Sequence, residues 1–222
     1  MTGITAPHAA GASAQRLAGT LGVAGLLSGL MLVLAYELTL PRIERNHAEA
    51  LERAVLLVVP QAKAMQKLVW RDGALTVADG KESKDTPAIY AAYGEDGGFV
   101  GYAIPGAGQG FQDVIELLFG YDPRARNIVG FRVLQSRETP GLGDKIYKDA
   151  DFQRNFEALA VEPRIVAVKK GARAHPGEID AITGATISSK AVVKILNAAC
   201  GEWLARLPAP GQEPPLKKGE PR

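Results

Sequence analysis

Cysteine is almost absent: Cys200 is the single one in 222 residues. That excludes an internal disulfide framework, and it excludes a four-thiolate iron–sulfur or zinc site built by this chain alone. Histidine is scarce too. His8, His47 and His175 lie far apart, and none pairs with an acid at metal-ligand spacing. The charge is nearly balanced, with 26 basic against 24 acidic residues for a net +2, so no strong field points at nucleic acid or at an acidic partner. No nucleophile–base triad is visible. Any redox or group-transfer chemistry therefore has to come from an organic cofactor, or be absent. With 46% hydrophobic and 23% charged residues the chain has the composition of a folded protein.

The apolar residues are unevenly spread. Leu17 to Tyr36, LAGTLGVAGLLSGLMLVLAY, is a run of twenty uncharged residues. As a helix it spans about 30 Å, the thickness of a bilayer's hydrocarbon core. Glycines at 19, 22, 25 and 29 are common in membrane helices, and Gly25-x-x-x-Gly29 is a helix-packing pattern, though a weak one. A cleaved signal peptide would have a shorter apolar region and a small-x-small cleavage site. Here the run continues into Tyr36-Glu37-Leu38-Thr39-Leu40-Pro41, so an uncleaved single-pass anchor in the lipid bilayer is expected. Arg42, Arg45 and Arg53 against Arg16 point weakly to a cytoplasmic C-terminal side.

Beyond the anchor the pattern predicts a disordered tail at 1–16, a transmembrane helix at 17–40, an amphipathic linking helix at 41–66, an α+β domain at 67–207 and a disordered proline-rich tail at 208–222. Asp72-Gly73 sits between Lys67–Arg71 and Ala74–Ala78, a hairpin signal. A second hairpin pairs Ala88–Tyr93 with Phe99–Ile104, and a third pairs Asp113–Gly120 with Ile128–Gln135. Asp151–Leu159 reads as a helix and Arg164–Val168 as a strand. From Ile187 to Leu204 the apolar residues recur with a helical period and a wide buried face. The fold class expected is α+β: antiparallel strands with helices packed on them.

Two short segments carry chemistry. In Asp180-Ala181-Ile182-Thr183-Gly184-Ala185-Thr186-Ile187-Ser188-Ser189-Lys190, a turn of small residues opens into a helix. One reading is a plain N-cap by Thr or Ser. The other is an anion site, with the free N–H groups of Ile187, Ser188 and Ser189 aimed at a ligand and Lys190 adding charge. In Arg137-Glu138-Thr139-Pro140-Gly141-Leu142-Gly143-Asp144-Lys145, Pro140-Gly141 makes a tight turn. Gly141 and Gly143 would let backbone approach a flat ring, and Leu142 would pack on it; a surface turn is the alternative. Gly106-Ala107-Gly108-Gln109-Gly110-Phe111 is not a dinucleotide fingerprint, since its spacing is G-x-G-x-G. It serves either packing or a ligand contact from Gly108 or Gly110.

The D-A-I-T-G-A-T-I-S-S string resembles the flavinylation motif of the FMN-binding domain family, and E-T-P-G-L-G resembles the loop that such proteins carry beside the flavin. That family includes the G subunit of Rnf-type electron transport complexes and, as a close relative, the C subunit of the sodium-pumping NADH:quinone reductase. Length and the lone anchor favour the Rnf type. The resemblance implies FMN covalently attached by a phosphoester to Thr186, by a separate flavin transferase that uses FAD as donor. It implies a cofactor site of Thr183, Gly184, Ala185, Thr186, Ser188, Ser189, Glu138, Thr139 and Leu142, with Asp180, Gly184, Ala185 and Thr186 read by the transferase. It also implies an electron-carrying protein, inactive alone, that relays electrons among other membrane subunits of a complex coupled to ion translocation. The domain would then lie on the periplasmic side of a bacterial inner membrane, against the flank-charge count. A membrane-anchored binding or assembly subunit without flavin is the alternative.

Overall fold

The computed structural model describes residues 13–80, 82–83 and 86–217, without the side chain of Glu44. The expected disordered tail at 1–16 thus falls mostly outside the described residues. The chain forms two units, Met1–Glu49 and Ala50–Arg222.

Helix α1 runs from Ala14 to Val58 without a break. Two helices were expected, parted at Pro41, but Pro41 lies inside the one that forms. Proline removes one backbone donor, and the helix-favouring residues on both sides carry the helix past that loss. In the first unit its large apolar side chains, among them Leu21, Leu26, Met31, Leu32 and Leu38, are exposed, with Leu40 half-buried. Among the described residues this one helix is long and apolar enough to cross a membrane. The helix stops before the turn at Pro60-Gln61, where Gln61 takes φ +70°. Residues 64–66, expected in the linking helix, belong to the first strand.

The second unit is built on a seven-stranded antiparallel sheet in the order β2-β1-β3-β4-β5-β6-β7. Its strands are β1 Ala64–Arg71, β2 Ala74–Val77, β3 Ala88–Tyr93, β4 Phe99–Gln109, β5 Val114–Asp122, β6 Asn127–Gln135 and β7 Leu159–Ala160. Two short helices, α2 Lys145–Lys148 and α3 Ala150–Arg154, follow β6. Strands β8 Val166–Val168 and β9 Glu178–Asp180 form a separate parallel pair. Helix α4, Thr186–Trp203, closes the fold. This is the expected α+β class.

Side chains alternate across the sheet, as the strand period requires. Tyr102, Ile104, Ile115, Leu117 and Phe119 face α4 with Val192, Ile195 and Leu196. Each such fully buried side chain contributes about 1.5–3 kcal/mol of transfer free energy. Ala92, Ala103 and Leu118 face the other way, against Ala54, Val55, Val58 and Val59. Glycines decide how closely these layers approach. Gly120 and Gly130 are opposite one another in the β5–β6 register. A Cβ on either would overlap the Val58 carbonyl oxygen. On the other face a Cβ at Gly106 or Gly108 would stand 2.9 or 2.8 Å from Ile195. Strand β4 therefore continues through the glycine run, and these glycines serve the packing of α4. Gly108 thus takes the packing role, and the alternative of a ligand contact falls away there.

The proline-rich stretch after Pro208 was expected to be disordered. Its described part lies along the α4 face of the sheet. The Tyr93 hydroxyl donates to Pro214 O at 2.5 Å, Lys217 N donates to Gln66 Oε1 at 2.8 Å, and Leu216 packs against the core. Proline keeps such a segment extended at small entropic cost, so a few anchoring contacts suffice to order it.

Candidate functional site

Two turns of the same kind bring the two sequence motifs together. Leu142 N donates to Thr139 O at 3.2 Å across Pro140-Gly141, with Gly141 at φ +80°. Ala185 N donates to Ile182 O at 3.0 Å across Thr183-Gly184, with Gly184 at φ +83°. Glycine at the third position of each turn accepts a positive φ that a side chain resists. The first loop is also held from behind. Asp144 takes the Lys148 ammonium at 2.6 Å, and that hydrogen bond keeps its carboxyl below its ordinary range.

Between the turns lies a cavity of about 360 Å³ lined by Phe111, Thr139, Leu142, Gly143, Gly184, Ala185, Thr186, Ile187 and Ser188. Its size falls within the ordinary range of small-molecule sites, about 300–1,000 Å³. Three large apolar side chains on its rim are largely in solvent: Phe111 is 63% exposed, Ile187 59% and Leu142 51%. Thr186, also exposed, is the first residue of α4. The residue before it in the N-cap position is Ala185, which has no side chain to cap with. Thr186 therefore does not cap the helix, and the plain N-cap reading falls away. Ser189 N, bonded to Ala185 O at 3.0 Å, has its partner within the helix. The donors before it, on Thr186, Ile187 and Ser188, are the first-turn groups that a helix leaves open. Leaving them without a side-chain cap costs about 1 kcal/mol. An anion there would recover it, with a dipole contribution of about 0.3–1 kcal/mol.

Other predicted residues fall elsewhere. Ser189 is buried and used within the chain: its hydroxyl accepts from Ile182 N at 3.1 Å and donates to Ala185 O at 2.9 Å. It shapes the turn and stands outside the lining, as do Thr183 and Lys190, both exposed. Glu138 is 5% exposed and lies behind the lining. Its carboxylate accepts from Gln112 N at 2.9 Å and from the Ser188 hydroxyl. Thr139, half-buried, donates from its hydroxyl to Gln112 Oε1 at 2.9 Å. Gly143 is packed against Glu138 rather than left open for a ring. Gly110 is likewise tight against Glu138. Asp180 sits in a different cleft with Asp149, Asp151 and Lys170, where its carboxylate accepts from Gly171 N at 2.8 Å. The residues expected to be read by a transferase are therefore split between two clefts. Burial pushes the Cys200 thiol up to about 12, so it stays protonated and unreactive.

The side chains of Phe111 and Ile187 line the cavity, and sequence reasoning assigned neither to the cofactor, although it aimed the Ile187 N–H at an anion. Phe111 carried a signal: a large aromatic inside a turn of glycine and glutamine. Ile187 looked like the first core residue of α4, and its side chain faces the cavity instead.

These residues fit FMN. An exposed hydroxyl, open backbone donors for a phosphate and an apolar rim for a flat ring all meet at one cavity. Known proteins point the same way. Residues 110–201 match the FMN-binding domain family. The G subunit of the ion-translocating oxidoreductase complex of Methanosarcina acetivorans is 33% identical over 182 residues, covering 81% of this chain and 89% of that protein. The protein of the same name from Shewanella piezotolerans is 30% identical over 188 residues, covering 81% and 84%. In fold, the chain is similar to the crystal structure of the C subunit of the Na(+)-translocating NADH-quinone reductase from Parabacteroides distasonis. The TM-score is 0.57 at 22% identity, over 73% of this chain and 94% of that one. The class is thus a flavin-nucleotide domain on an α+β scaffold. Within that class, the chain belongs to the family of G subunits of ion-translocating oxidoreductase complexes.

Proposed function

We propose that this chain is a membrane-anchored flavoprotein, carrying FMN on Thr186 through a phosphoester and relaying electrons as one subunit of an ion-translocating oxidoreductase complex. The observation that carries the reading is the place of Thr186. Its hydroxyl belongs to the uncapped start of α4, on the edge of a cavity that joins both sequence motifs.

Each residue has a part. Thr186 tethers, so occupancy does not depend on noncovalent affinity. The backbone donors of Thr186 and Ile187 hold the phosphate charge. Phe111, Leu142 and Ile187 pack on the ring and exclude water from part of it, while the open rim leaves an edge for a redox partner. When bound, FMN supplies one- and two-electron redox chemistry, which belongs to the cofactor. A separate flavin transferase makes the attachment: the Thr186 hydroxyl takes the FMN phosphoryl of FAD as the pyrophosphate bond breaks, and AMP leaves. The apolar part of α1 anchors the chain in the bilayer, and the domain lies on the periplasmic side. Other membrane subunits hold the remaining redox centres and the ion path.

The test is in-gel fluorescence under ultraviolet light of the denatured chain, made together with a flavin transferase. A fluorescent band is expected for the natural sequence and its complete loss for Thr186→Ala. A band that survives in Thr186→Ala contradicts the attachment site, and no band in either contradicts covalent flavin.

A further inference from the structure

We propose that Glu138 is the positioning residue of this cavity: one buried carboxylate clamps together the three chain segments that form its apolar rim. The clamp is a property of the chain alone; what the rim receives rests on the flavin reading above.

Phe111 stands between Gly110 and Gln112. Gln112 N donates to Glu138 Oε1 at 2.9 Å, and a Cβ at Gly110 would stand 2.5 Å from the same oxygen. Leu142 precedes Gly143, where a Cβ would stand 2.5 Å from Glu138 Oε2. Ile187 precedes Ser188, whose hydroxyl donates to Oε2. Each exposed apolar residue of the rim is thus one position away from a contact with the same carboxylate. Glu138 itself does not line the cavity. Both oxygens are occupied from within the chain, and the two glycines are close enough to leave no room for a ligand atom.

Glu138 therefore acts through the rim rather than on the ligand. A second consequence concerns Ser188. A hydroxyl has one proton to give, and this one is given to Glu138. Toward the cavity Ser188 offers acceptor capacity only, so an anion there is held by backbone donors. Replacing the acid also leaves the buried Ser188 hydroxyl without its charged acceptor, a costly state, and frees the Gln112 N–H.

Amide hydrogen exchange on the full chain in detergent, made without a transferase, tests the clamp independently of flavin. The reporters are the amides of Gly110 and Gln112, of Leu142 and Asp144, and of Ser189. In Glu138→Ala all three groups are expected to exchange about tenfold faster or more, with β3 to β6 still protected. Glu138→Gln keeps one oxygen acceptor and the side-chain size, and is expected to keep Gly110 and Gln112 protected. Ser188→Ala is expected to speed Ser189 alone. Normal exchange at two of the three groups in Glu138→Ala overturns the proposal, as does a rise throughout the sheet. If Glu138→Ala does not fold, Ser188→Ala decides, and an unchanged Ser189 amide overturns the clamp.

A second readout uses chain matured with a transferase. Iodide quenching of the flavin fluorescence is expected to rise at least twofold in Glu138→Ala and to stay near the natural value in Glu138→Gln. Equal quenching in all three forms contradicts a positioning role. Failure of the flavin reading would appear as a bare polypeptide mass with the exchange pattern intact, so the two failures are distinct.

Discussion

At the scale of single residues, glycines set the distances on which the fold and the site depend. Gly120 lies beneath the Val58 carbonyl, and the space above Gly201 on α4 is open. The two positions give opposite expectations for the same change. Gly120→Ala forces backbone apart and is expected to destabilise the domain by about 1–3 kcal/mol. Gly201→Ala adds helix propensity where nothing obstructs it, and is expected to stabilise by about 0.5–1 kcal/mol. Denaturant midpoints at constant slope measure both; a neutral Gly120→Ala would mean that Val58, at the end of α1, does not rest on the sheet. The place of Thr186 at the start of a helix was legible in sequence, because a turn of small residues precedes a run of helical period. The function of Gly143 was not, because a tight approach to a ring and a tight approach to a buried carboxylate demand the same missing Cβ.

Elements were legible in proportion to how local their determinants are. The Asp72-Gly73 hairpin, strands β3 and β6 and helix α4 were read within a few residues, since turn chemistry and side-chain period are written in neighbouring positions. Strand β4 was cut short at Ile104, because a glycine-rich run has no alternation to read; its strand state comes from pairing with β5. Strands β7 and β9 are two and three residues long and exist only through their partners. The last segment is the clearest such case. Its order comes from Gln66, Tyr93 and the core, more than a hundred residues away in sequence.

That segment has a pH dependence. Burial, and then the Glu213 charge, push the Tyr93 hydroxyl up to about 12. An unfolded tyrosine ionises near 10. Between these values the native state keeps a proton that the unfolded state releases, so stability is full below pH 10 and falls as pH rises toward 12. Tyr102 is raised by the same causes and adds to the slope. The denaturant midpoint is expected to fall across this window, and less steeply in Tyr93→Phe. A midpoint flat from pH 9 to 12 in the natural sequence would contradict the burial of both hydroxyls.

At the scale of the whole molecule, a long apolar helix and a flavin domain divide the work of location and chemistry. The flank arginines favour a cytoplasmic domain, whereas the transferase reading needs a periplasmic one; charge near a span biases orientation, and a large domain can cross regardless. Protease added to intact spheroplasts is expected to remove the domain and leave a short membrane-embedded fragment. Full protection until lysis would place the domain on the other side. The α+β class and the long apolar helix were readable from side-chain period, turn signals and hydropathy, whereas FMN came from the resemblance of two motifs to the FMN-binding domain family, whose match covers residues 110–201.

The central claim is a single bond at Thr186, and intact mass spectrometry of the chain matured in a flavin-loading host tests it most directly. The expected mass exceeds that of the polypeptide by one FMN less one water, with fragmentation placing the addition on Thr186. A bare polypeptide mass, or an addition on another residue, would contradict it.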